Sequence, residues 1–105
     1  MSPTLYWSKE AREDLFDIFI KIAGDNPDAA ERTYFKLEDR AESLILLPHM
    51  GVRRPEIAEP ARVLVEGAYL ILYRTYPDVH LGAVDEVEVL RVVHGSRDLS
   101  RVFSS

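Results

Sequence analysis

Two apolar runs near the C-terminus limit what this chain can fold into. Residues 69–76 read Tyr-Leu-Ile-Leu-Tyr-Arg-Thr-Tyr and residues 87–94 read Val-Glu-Val-Leu-Arg-Val-Val-His. Aromatic and β-branched types suit a pleated surface, so both runs are predicted strands. Each is eight residues long with an arginine inside, too short and too polar for a membrane span. Adjacent strands with apolar residues on both faces need cover, and the first half of the chain supplies it as helices.

Thr4 to Trp7 is predicted as a short first strand. Ser8 then caps a helix, because its hydroxyl can accept from the free N–H groups of the first turn. Ala11, Leu15, Ile18, Phe19 and Ile22 fall on one helical stripe. Gly24 is expected to end the helix. Phe16 and Ile20 lie off the stripe, either as scattered apolar surface or as a face widened toward a partner. Asn26 and Pro27 suit the cap and first position of a second helix, predicted to run to about Leu46 with Pro48 as its stop. So short a link makes the pair an antiparallel hairpin. Residues 49–61, rich in proline, read as a surface connector. Arg62 to Glu66 is a strand joined to Tyr69 by a tight turn at Gly67-Ala68. The expected fold is therefore α+β: a short N-terminal strand, then an α-helical hairpin packed on a small antiparallel sheet, in the order β-α-α-β-β-β. The sheet's second face is expected to leave a partly apolar groove.

The 105 residues, 47% hydrophobic, form a single domain over 1–105, without repeat or linker. The absence of cysteine excludes disulfides and thiolate metal sites and fits a reducing cytoplasm. The first seven residues lack the basic and apolar regions of a signal peptide, so a cytoplasmic protein is expected, with no membrane association. Net charge is −5, of which −4 lies in residues 1–47. Binding to nucleic acid needs a basic patch, and the one dense basic spot is Arg53-Arg54. That spot is either a solvated loop pair or a contact patch. A protein partner is favoured over direct nucleic-acid binding.

Candidate chemistry is sparse. His49, His80 and His94 have no metal-ligand spacing, and no cofactor or metal is expected. Ser96, His94 and Asp98 are the types of a nucleophilic triad, but five consecutive residues rarely converge with triad geometry. His94 itself is either an acid–base group or the source of a turn-stabilising hydrogen bond. Arg91 sits mid-strand. By alternation it shares a face with Val87, Val89 and Val93, where it needs an acid from the chain or marks a docking face.

The residues Trp7-Ser8, Ala11, Asp14-Leu15, Ile18, Asn26-Pro27, Ala29-Ala30, Leu47-Pro48, Gly51, Arg62, Tyr69, Ile71, Tyr73 and Leu90 to Gly95 with Arg97-Asp98 form an ordered pattern across nearly the whole chain. In this order and spacing the chain resembles the ParE branch of the RelE/ParE toxin superfamily. The resemblance implies the toxin of a type II toxin–antitoxin module, with a role such as plasmid stabilisation. It also implies a hetero-oligomer with a ParD-like antitoxin whose flexible C-terminal segment wraps the toxin.

The superfamily implies two activities. RelE-like members cut mRNA on the ribosome with basic residues and a C-terminal tyrosine, whereas ParE-like members act on DNA gyrase. Here Arg97 matches the nuclease arginine, but Phe103 stands where the tyrosine would be. Leu64 and Val65 occupy the strand that carries a second catalytic arginine in the nucleases. RNA cleavage needs a base and charge stabilisation at the phosphate. A non-enzymatic gyrase inhibitor is therefore the expectation, with the ribosome-dependent mRNA endonuclease as the alternative. Target-contact candidates are Arg53, Arg54, Arg91, His94, Arg97 and Arg101. Antitoxin-contact candidates are Leu15, Phe16, Phe19, Ile20, Tyr34, Tyr73 and Arg74, by strand addition or a helix in a groove.

Overall fold

A computed structural model describes residues 2–97 and 99. The order is β1 (Thr4–Trp7), α1 (Lys9–Ala23), α2 (Pro27–Glu42), a 3-10 turn (Ser43–Ile45), β2 (Val52–Arg53), β3 (Arg62–Glu66), β4 (Tyr69–Tyr76) and β5 (Glu86–His94). The strands form one sheet in the order β1-β5-β4-β3-β2. The α+β architecture is as expected, but the sheet is mixed: β1 runs parallel to β5 while the other neighbours are antiparallel. The helical hairpin carries the chain away after β1, so β1 waits at the sheet edge for the last strand. No helix among the described residues is long and apolar enough to cross a membrane.

Local chemistry explains most boundaries. Ser8 Oγ accepts from the Ala11 N–H at 3.0 Å, and Asn26 Oδ1 accepts from the Ala29 N–H at 3.1 Å with Pro27 as the first helical residue. Gly24 keeps ordinary helical backbone, so its freedom to adopt positive φ does not stop α1. The N–H groups of Asp25 and Asn26 both turn back to the Ile22 carbonyl, and this closes the helix. α2 stops at Glu42, short of the expected Leu46. Ser43 Oγ donates to the Arg40 carbonyl, and the next turn tightens to 3-10. The two-residue loop at Gly67-Ala68 places Gly67 at φ 59°, a conformation that tight hairpins need and side chains resist.

The hairpin covers one sheet face. Leu15, Leu37, Leu44, Ile71, Tyr73 and Val89 are central to the core there, none more than 1% exposed. Burying one leucine of this kind contributes about 1.5–3 kcal/mol. The opposite face is not the open groove expected. Val63, Leu72 and Val93 are buried there beneath Ile57, Leu70 and Leu99. The connector ahead of β3 folds back over that face.

That connector also supplies β2, which the sequence reading left irregular. Gly51 holds it in place. The Gly51 N–H donates to Tyr73 Oη at 2.8 Å, and the same hydroxyl donates to the Pro48 carbonyl at 2.9 Å. Burial pushes the Tyr73 phenol upward from its usual range, so it serves as a neutral donor. A Cβ at Gly51 would lie 2.6 Å from Tyr73 Cε1 and 2.9 Å from the Val63 carbonyl. The ring is bonded at its hydroxyl and buried, so it cannot move aside. Gly51→Ala is therefore expected to cost about 2 kcal/mol in a urea melt. An unchanged midpoint would contradict this packing.

Candidate functional site

The outer side of the helical hairpin carries a groove of about 520 Å³. Its walls are Phe16 and Phe19 from α1 and Tyr34 and Phe35 from α2, and the side chain of Leu15 forms its floor. Antiparallel packing brings the aromatic residues of the two helices together. Phe19 meets Tyr34 edge-on at 6.1 Å, and Tyr34 meets Phe35 edge-on at 5.6 Å. Phe16 is 63% exposed and Phe35 52%. Large rings left in water beside each other are the composition of a protein interface.

The groove brings together four of the predicted antitoxin-contact residues, Leu15, Phe16, Phe19 and Tyr34. Ile20 is exposed one turn beyond Phe16. Tyr73, expected on an open sheet face, is instead fully buried and points into the core. Arg74 lies apart, stacked 4.1 Å above the Tyr76 ring. Sequence reasoning missed Phe35, Arg12 and Glu31. Phe35 lies off the buried stripe of α2, and only the register of the hairpin reveals that it faces Phe16. A second exposed apolar group also escaped notice: Leu46 and Leu47 after α2, with Pro48 and Met50 beside them.

The predicted target-contact residues fall into two sets. Three are engaged in ion pairs: Arg53 with Asp78 at 2.7 Å, Arg54 with Glu56 at 2.6 Å, and Arg91 with Asp14 at 2.6 Å. Arg91 therefore has the chain acid that its position required, and the Asp14 carboxylate holds its guanidinium above the usual arginine range. The alternation used to place Arg91 does not hold. Leu72 pairs with Arg91 and Tyr73 with Val89, so a bulge at Leu90 shifts the strand by one residue. Val92, not Val93, then joins Val87 and Val89 on the helix side.

His94 and Arg97 form the second set, exposed at the end of β5. They border a shallow cavity of about 210 Å³ shared with Asp17 and Lys21. The His94 ring accepts the Ser96 N–H at Nδ1, 3.1 Å away, with Ser96 Oγ at 2.7 Å. A backbone N–H can only donate, so Nδ1 carries the lone pair and Nε2 the proton. The imidazole thus closes the turn after β5. Arg101 and Asp98 lie outside the described residues. No group of three or more metal-ligating side chains occurs among the described residues.

Helical hairpin, mixed sheet and aromatic groove define a small α+β domain with a surface built like a protein interface. A family model described as the ParE toxin of type II toxin-antitoxin systems, parDE, matches residues 5–99, and the chain belongs to that family. A chain from the structure of the chromosomal ParDE TA system of P. aeruginosa is similar with a TM-score of 0.69 and 19% identity. That match covers 89% of this chain and 96% of that one, and at such identity the likeness is one of fold. A search of curated proteins finds no match.

Proposed function

We propose that this ParE-family toxin acts by binding rather than by chemistry: a ParD-type antitoxin silences it by laying a helix into the α1–α2 groove, and the free toxin inhibits DNA gyrase. The observation that carries the antitoxin part is the exposed aromatic groove, an unpartnered apolar surface of the shape that helix-in-groove recognition uses. Family membership supports the gyrase part, together with Phe103 in place of a proton-transferring tyrosine.

The His94–Arg97 corner is the favoured target contact. Its Arg97 is exposed, whereas Arg53, Arg54 and Arg91 are already engaged within the chain. The groove uses Arg12, Leu15, Phe16 and Phe19 of α1, while the corner cavity uses Asp14, Asp17, Ile18 and Lys21. The two surfaces thus lie on different sides of one helix. A purified-gyrase supercoiling assay tests the reading. The toxin should inhibit supercoiling, and Arg97→Ala should weaken inhibition about 10-fold, as loss of one charged contact does. Full gyrase activity at excess toxin, with new ribosomal A-site cuts in mRNA from induced cells, would replace this reading with the endonuclease.

A further inference from the structure

We infer that the occupant of the α1–α2 groove is a basic amphipathic helix, and that Glu31 selects it by requiring a partner cation. The inference rests on the reading that the groove is the antitoxin's seat, and it adds the chemistry that distinguishes one antitoxin from another.

Two charged residues line the groove, Arg12 and Glu31. Arg12 is engaged: Nη1 lies 3.4 Å from Glu38 Oε2, and the guanidinium sits 4.7 Å from the centre of the Trp7 ring. Glu31 has no ion-pair or hydrogen-bond partner among the described residues. In the free protein water solvates it. A helix seated on Phe16 and Phe35 would remove that water. A carboxylate covered without a counter-charge opposes binding, so an occupant lacking a cation there is rejected even when its apolar face fits. Glu31 is one helical turn from Phe35, so a cation on Glu31 also lies beside an aromatic ring.

The surrounding field agrees. From Lys9 to Glu42 the hairpin carries six basic and ten acidic residues, nearly the whole net charge of the chain. Such a surface speeds encounter with a positive partner and slows it with a negative one. Glu31 and the Arg12–Glu38 pair are about two helical turns apart on α2, roughly 10 Å. The cation therefore marks one end of the docked helix, and the neutralised pair marks the other.

The test is calorimetric titration of the full chain with the antitoxin encoded by the neighbouring open reading frame. Glu31→Gln should weaken binding about 10-fold and Glu31→Lys about 100-fold, both differences shrinking in about 0.5 M salt. Glu31 is exposed, so both variants should melt like the parent. Replacing one particular basic residue of the antitoxin by Glu should restore binding to Glu31→Lys. If Glu31→Lys binds like the parent while Phe16→Asp does not, the charge selection is wrong and the groove reading survives. If Phe16→Asp and Phe35→Asp also bind like the parent, the groove reading itself falls.

Discussion

Asp14→Ala is expected to lower stability by about 3 kcal/mol, which at this size shifts the melting temperature by roughly 12–24 °C. Asp14 Oδ2 accepts from Arg91 Nε at 2.6 Å and from the Val92 N–H at 3.0 Å, while Oδ1 accepts from Arg91 Nη2 at 2.9 Å. The side chains of Asp14 and Arg91 are 13% and 19% exposed, so the pair is largely shielded from water and salt. Truncating Asp14 removes two charge-assisted bonds from the Arg91 guanidinium and the side-chain acceptor from the Val92 N–H at the bulge. The bulge is also held nearly two turns earlier: the Ser8 N–H donates to the Val89 carbonyl, and Ser8 Oγ donates to the Leu90 carbonyl at 2.9 Å. Ser8 and Asp14 together fasten the first two turns of α1 to the last strand. A double-mutant cycle separates the pair from its surroundings. Asp14→Ala with Arg91→Ala should lose less than the sum of the single losses, by about 1–3 kcal/mol. Strict additivity in thermal melts would show that the pair contributes nothing as a pair.

Arg62→Met should cost about 3 kcal/mol, and Arg62→Lys should recover little of it. Arg62 is 5% exposed. It bonds to no carboxylate among the described residues: backbone carbonyls accept from its two terminal nitrogens, and its buried Nε has no hydrogen-bond partner there. Its guanidinium donates to the carbonyls of Gly51 at 3.0 Å, Val79 at 3.1 Å and His49 at 3.4 Å. These carbonyls belong to two different loops, so one planar fork ties residues 49–51 to the connector after β4. A lysine offers a single donor centre that cannot reach both loops. Urea melts give the stability loss, and hydrogen exchange locates it: Gly51 should lose protection in Arg62→Met while the β4–β5 ladder keeps its order. Equal loss of protection at both places would mean that Arg62 supports the whole sheet rather than these loops.

The boundaries of β1, α1, β3, β4 and β5 and the start of α2 were legible because they rest on near-neighbour chemistry: a capping hydroxyl at Ser8, a proline at the first position of α2, a two-residue turn at Gly67. The family pattern was legible for the same reason, since its residues sit at those caps, turns and core positions. What escaped depended on partners distant in the chain. β2 has two residues, too few for any periodicity, and exists because Tyr73 and Arg62 hold Gly51 from elsewhere in the chain. The placement of Tyr73 on an open face failed because residues on the two faces of a strand alternate, and nothing local says which face the hairpin covers. The error at Arg91 arose from one extra residue at Leu90, which reverses the faces of all that follow it.

The groove shows the same division. Phe16 stood out in the sequence as an apolar residue off the stripe, and its meaning stayed open. Phe35 drew no attention and Glu31 reads from the sequence as a helix-surface charge, because a helix's own periodicity says only which residues avoid the core. Periodicity and capping are properties of short segments, and they settle where helices and strands begin and end. The register between α1 and α2, the bulge in β5 and the parallel seat of β1 depend on bonds between residues tens of positions apart. Those bonds set Phe16 opposite Phe35, leave Glu31 as the groove's uncompensated charge among the described residues, and so turn scattered surface residues into a site.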